Sequence, residues 1–131
     1  MSKSLRSFED LECWQAATAV RRYVMVVAKK FPPIEKRALL SDLTRAARSA
    51  THNIAEGFGR FHYQENIQFC RQSRGSLQEI IDQFITARDE HYISDSEYKE
   101  GRELIDKALA LLNGYINYLS RAKENHLTNN E

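Results

Sequence analysis

Residues 94–122, SDSEYKEGRELIDKALALLNGYINYLSRA, decide how the rest of the chain is read. Ser94-Asp95-Ser96-Glu97 has the spacing of a capping box. The Ser94 hydroxyl takes one of the orphan amides of a helix start, and the Glu97 carboxylate reaches back to another. Behind it, Tyr98, Ile105, Ala108, Leu112, Tyr115 and Leu119 recur at heptad-like steps, reinforced by Leu104 and Leu111. That pattern is an amphipathic helix with one apolar stripe, and a stripe of this kind buries itself against other helices. The polar run Asn125–Glu131 reads as a flexible C-terminal tail.

Upstream the same period appears three more times. Cys13, Ala17, Val20, Val24, Val27 and Phe31 alternate steps of four and three, and Ala16, Ala19, Tyr23 and Val26 widen the stripe to two contact sides. Ser7, three residues before Asp10, is a weaker capping signal. Pro32-Pro33 stops this first helix. Leu40, Leu43, Ala47, Ala50, Ile54 and Phe58 mark a second helix, with Gly57 and Gly59 as terminators able to adopt a left-handed end. Ile67, Cys70, Leu77, Ile80, Ile81 and Phe84 mark a third. Gly75 in its middle costs about 1 kcal/mol relative to alanine, which points to a tight helix crossing. No stretch alternates as a strand does. The expectation is an all-α, antiparallel up-down four-helix bundle forming a single domain over residues 1–131, with helices at about 10–30, 37–58, 64–91 and 95–122.

With 131 residues the chain can bury a core without staples. Cys13 and Cys70, few and far apart in sequence, fit reduced core thiols and a reducing compartment. The N-terminus lacks the apolar run of a secretory signal, and no apolar run approaches the roughly 20 residues of a membrane span. A cytoplasmic address follows as the default. Net charge is only +1, but it is unevenly spread. Residues 1–75 carry thirteen Lys/Arg against seven Asp/Glu, and residues 76–131 carry six against eleven. Such asymmetry marks either a polyanion-facing surface or two faces that pair with each other.

Several segments together follow one recognisable order. They are Phe8-Glu9-Asp10-Leu11-Glu12-Cys13-Trp14-Gln15, Arg45-Ala46-Ala47, Asn53-Ile54-Ala55-Glu56-Gly57-Phe58-Gly59-Arg60, Gly75-Ser76-Leu77-Gln78-Glu79 and Leu111-Leu112-Asn113-Gly114. Over about residues 8–120 the chain resembles the bacterial four-helix-bundle proteins known as 23S ribosomal RNA intervening-sequence proteins. The resemblance implies a small cytoplasmic protein, often encoded within sequences inserted in the large-subunit ribosomal RNA gene. It also implies a ring-like homopentamer and no established catalysis. The family in turn resembles accessory proteins of diversity-generating retroelements, which bind nucleic acid and a reverse transcriptase. Trp14, Asn53, Glu56, Gly57, Gly59 and Gly75 are the structural motif positions on this reading. The family commonly has a proline just before the Asn-Ile-Ala run. Here Ala50-Thr51-His52 stands instead, so the second helix is expected to run straighter.

The candidate nucleic-acid-binding residues are Arg45, Arg48, His52, Arg60, Arg71 and Arg74. The first three share a face of the second helix, and Arg71 and Arg74 share a face of the third. Guanidinium groups grip phosphates bidentately, and Phe61 and Tyr63 are placed to stack on unpaired bases. The plainer reading pairs these cations with Asp42, Glu56 or the acidic half of a neighbouring subunit, which would make the protein a scaffold. Asn53 and Glu56 read as structural polar groups, and Trp14 as core, with a subunit interface the alternative. Arg45 and His52 also fit the Arg-x(4–6)-His spacing of helical HEPN ribonucleases, with histidine as acid/base and arginine on the transition state. His52, His62, His91 and His126 are scattered, so no metal is expected, and no cofactor motif is present. The expected partners are RNA, further copies of the chain and possible protein partners, with neither a membrane nor a small-molecule substrate.

Overall fold

The computed structural model describes residues 5–129. A 3₁₀ turn at Phe8–Asp10 leads into α1 (Glu12–Ala28). A second turn at Pro33–Glu35 precedes α2 (Leu39–Phe58), followed by α3 (Tyr63–Asp89) and α4 (Asp95–Asn129). No strand occurs among the described residues. Each helix packs on the next, and α4 closes the square against α1. The protein is therefore an all-α four-helix bundle. Leu43, Ala47 and Ile54 from α2 meet Val20 and Val24 from α1, Leu77, Ile80 and Phe84 from α3, and Ile105, Ala108 and Leu112 from α4 in one fully buried core.

The start of α4 follows its sequence signal, whereas α1, α2 and α3 begin without a side-chain cap. The Ser94 hydroxyl accepts from the Glu97 N–H at 3.1 Å, and the Glu97 carboxylate accepts from the Ser94 N–H at 2.8 Å. Ser7 and Asp10 form a second capping box, on the 3₁₀ turn rather than on α1 itself. α1 ends at Ala28, before the prolines, so Lys30 and Phe31 belong to the connection. α2 runs unbroken from Leu39 to Phe58.

Three expectations need correction. The segment after Ala122 is not a frayed tail: α4 continues to Asn129, because Lys123 donates to the Gln64 side chain and the His126 ring packs edge-on against Tyr63. Asn130 and Glu131, the last part of the expected tail, and the N-terminal Met1–Ser4 lie outside the described residues. Gly75 marks no tight crossing, since a Cβ there would meet nothing within 4 Å. The close approaches are at Gly57, where a Cβ would stand 2.7 Å from Asn66 Oδ1, and at Gly101, where it would stand 2.5 Å from the Phe84 ring. Finally, Gly59 keeps an ordinary φ of −76°. The left-handed helix end belongs to His91 instead, at φ 65°, where the Tyr92 N–H bonds back to Ala87 O.

The core is chemically quiet. Burial pushes the thiols of Cys13 and Cys70 up to about 12, so both stay protonated and unreactive at neutral pH. The Tyr115 hydroxyl, also pushed by burial to about 12, accepts from Asn66 Nδ2 at 3.0 Å, and Asn66 Oδ1 accepts from Cys70. This network ties α3 to α4 directly beneath Gly57.

Candidate nucleic-acid interface

α2 buries one half of its surface and exposes the other. Leu43, Ala46, Ala47, Ala50, Ile54 and Gly57 face inward. Arg45, Arg48 and His52, spaced three and four apart, are therefore turned out together. From Arg45 to His52 the row runs about 10 Å along the axis. The Arg45 and His52 side chains are each 72% exposed.

Two of the three side chains already have an acidic neighbour. Arg45 donates to Asp42 Oδ1 at 2.6 Å, and His52 Nε2 lies 3.8 Å from Glu56 Oε1. Arg48 makes no side-chain hydrogen bond or ion pair among the described residues. Exposed pairs of this kind contribute little to stability, and a competing phosphate can displace them.

α1 adds a cation that sequence reasoning missed. Arg21 is half-buried and reaches across the α1–α2 seam to donate to Thr51 Oγ1 at 3.1 Å, while the Thr51 hydroxyl donates to Arg48 O at 3.1 Å. The guanidinium of Arg21 is thus fixed beside the Arg48 turn. Its position at the edge of the Val20–Val24 stripe was the available signal, but only the packing of α1 on α2 says where that edge points.

The other three predicted cations do not join this row. Arg60, in the turn after α2, donates to Glu56 at 3.1 Å, lies 3.7 Å from Glu65, and covers the Phe69 ring at 4.9 Å. It staples the end of α2 to the start of α3. Ser73 and Ser76 define the α2-facing side of α3, because they bond Ala50 O and Ser49 Oγ. Arg71 lies two residues from Ser73, hence about 200° around the helix and away from α2. Arg74 is half-buried and bonds Asn113 on α4 at 3.0 Å. The six residues therefore split into the α2 row, a corner staple and a pair on the α3–α4 side.

The remaining motif positions are structural in their contacts. Asn53 bonds Ser49 O and Ser49 Oγ within α2, and Glu56 serves Arg60 and His52. Trp14 is half-buried rather than core, with its ring edge-on to Phe8 at 5.2 Å. Among the described residues, no three His, Cys, Asp or Glu side chains cluster as metal ligands, and no helix is long and apolar enough to cross a membrane.

Two further surfaces have no covering. A furrow between α1 and α4 is lined by Ala16, Ala19, Leu104 and Leu111 and continues past Ala110 and Gly114 to Leu5 and Tyr118. At the α2–α3 turn, Phe61 is 99% exposed. No curated protein matches the chain. Residues 9–114, from the first 3₁₀ turn to the middle of α4 and including the Asn-Ile-Ala-Glu-Gly-x-Gly-Arg corner closed on α3 by Gly57, match the family model described as 23S rRNA-intervening sequence protein, and the chain belongs to that family.

Proposed function

We propose that this protein is a non-catalytic, oligomeric nucleic-acid-binding protein whose ligand is RNA, ribosomal RNA or its precursor being the substrate class the family suggests. The observation that carries the reading is the outward row Arg45, Arg48 and His52 on α2, extended across the seam by Arg21. Such a row offers phosphate contacts without a base-reading element, so it predicts salt-sensitive binding with weak sequence preference. An electrophoretic shift of unstructured RNA at low salt, abolished at high salt, tests it. Absence of any shift at low salt would end it.

A second reading, a scaffold whose charged faces serve assembly, draws on the furrow between α1 and α4, where Ala16, Ala19, Leu104 and Leu111 are interspersed with Glu12, Gln15 and Lys107, a mixed surface that a neighbouring copy can cover. A ring of copies, which the family resemblance implies, would need a contact surface of this kind. A nuclease centred on Arg45 and His52 has less support: both side chains stand in open solvent on a helix face, and each is already engaged by a carboxylate.

A further inference from the structure

The α2–α3 turn, Gly59–His62, carries the most exposed large apolar side chain among the described residues. The Phe61 ring is 99% accessible, and neither its own turn nor the start of α3 folds over it. The turn beneath it is firmly built. Arg60 is fixed by Glu56, Glu65 and the Phe69 ring, and Gly57 brings α2 into direct contact with α3 just before the turn. Tyr63 stands two residues on, 38% exposed and edge-on to His126, with His62 exposed between the two rings.

We propose that Phe61 is a stacking platform for an unpaired nucleobase, which makes this end of the bundle selective for single-stranded over duplex RNA. The inference rests on the RNA-binding reading and deepens it. The turn's backbone is already built, so binding orders only the two torsions of the Phe61 side chain, and every base has a face that can pair with the ring. Bases inside a duplex are already stacked, so the ring gains contact there only by breaking a step. The cations of the α2 row bind phosphates of either form. The turn follows directly on that helix, so a strand lying along Arg45, Arg48 and His52 leads towards Phe61. Arg60 and His62 flank the ring in sequence, and the Arg60 guanidinium, though shared with Glu56 and Glu65, is the cation nearest to it in the chain.

Fluorescence anisotropy with a short unstructured RNA strand and with a blunt RNA duplex of equal length tests this, using the full chain. Wild type is expected to favour the single strand. Phe61→Ala should lose about tenfold in single-strand affinity and change duplex affinity by less than about twofold. Phe61→Trp should restore the preference. A fully exposed side chain has no packing to lose, so all three proteins fold alike. Equal single-strand binding by wild type and Phe61→Ala overturns the proposal. So does a fall in particle mass for Phe61→Ala in sedimentation, which would make the ring a plug into another protein chain. Wild type binding neither RNA removes the underlying reading as well. Wild type binding both equally, through Arg45 and Arg48, removes this inference alone.

Discussion

Replacing Gly57 by alanine probes the corner on which the α2 row and the following turn both depend. The new Cβ would stand 2.7 Å from Asn66 Oδ1, 2.9 Å from Phe69 Cβ and 3.1 Å from Asn66 O. Two of those atoms are part of, or bonded directly to, the α3 backbone, so no rotamer change relieves the contact. The helices must separate, and Asn66 must loosen its bonds to Tyr115 and Cys70. Overpacking of this kind costs about 1–3 kcal/mol. The gain in helix propensity offsets less than about 1 kcal/mol of that, since Gly57 lies in the last turn of α2. Gly75→Ala supplies the control. It adds the same methyl in open space in the middle of α3 and should stabilise by about 1 kcal/mol. Urea unfolding followed by circular dichroism, at one protein concentration so that any self-association weighs equally on each protein, should place the two variants on opposite sides of wild type. A Gly57→Ala protein as stable as wild type would refute the account of the α2–α3 crossing.

Other perturbations follow from particular residues. His91→Gly removes the strain of a side chain at φ 65° and should stabilise by about 1 kcal/mol in the same assay; a loss of stability would mean that the imidazole has a role of its own. The Glu97 carboxyl is held below its ordinary value of 4.5, first by the hydrogen bond from Lys30 and then by the Ser94 N–H. A depressed carboxylate adds stability above its unfolded value and loses it as the pH falls through the folded one. The stability difference between wild type and Glu97→Gln should therefore be steady near neutral pH and shrink below about 4.5; a difference that grows on acidification would contradict this. Wild type and His52→Ala should both leave RNA of every form uncut, and a wild-type cleavage activity that is lost in this variant would revive the nuclease reading.

The fold was legible because helix period and capping are local properties. The Ser94–Glu97 box and the stripe behind it are visible in the order of residues, and the structure places each where that order implies. The roles of glycines were not legible. Gly75 and Gly101 both sit inside helices, yet only Gly101 has Phe84 and Tyr23 across from it, a fact set by distant parts of the chain. Val26 shows the same limit, since its place on the widened α1 stripe did not reveal that it is 60% exposed in the bundle. The site was legible in part. Spacing puts Arg45, Arg48 and His52 together on one helix, but joining Arg21 to them and turning Arg71 and Arg74 away depends on how helices are rotated against each other. The end of α4 was misread because its polar residues are held by Tyr63 and Gln64, which lie far away in sequence.

The claim that α2 is the RNA-binding face rests most directly on charge reversal at Arg45 and Arg48, with RNA affinity measured across a salt series and particle mass measured on the same samples. Loss of two phosphate contacts should flatten the salt dependence by about 0.7 per contact for a single strand and weaken binding severely, with the assembly unchanged in mass. RNA binding that survives the reversal, while the particle falls apart into smaller species, would contradict it and assign the row to contacts between subunits.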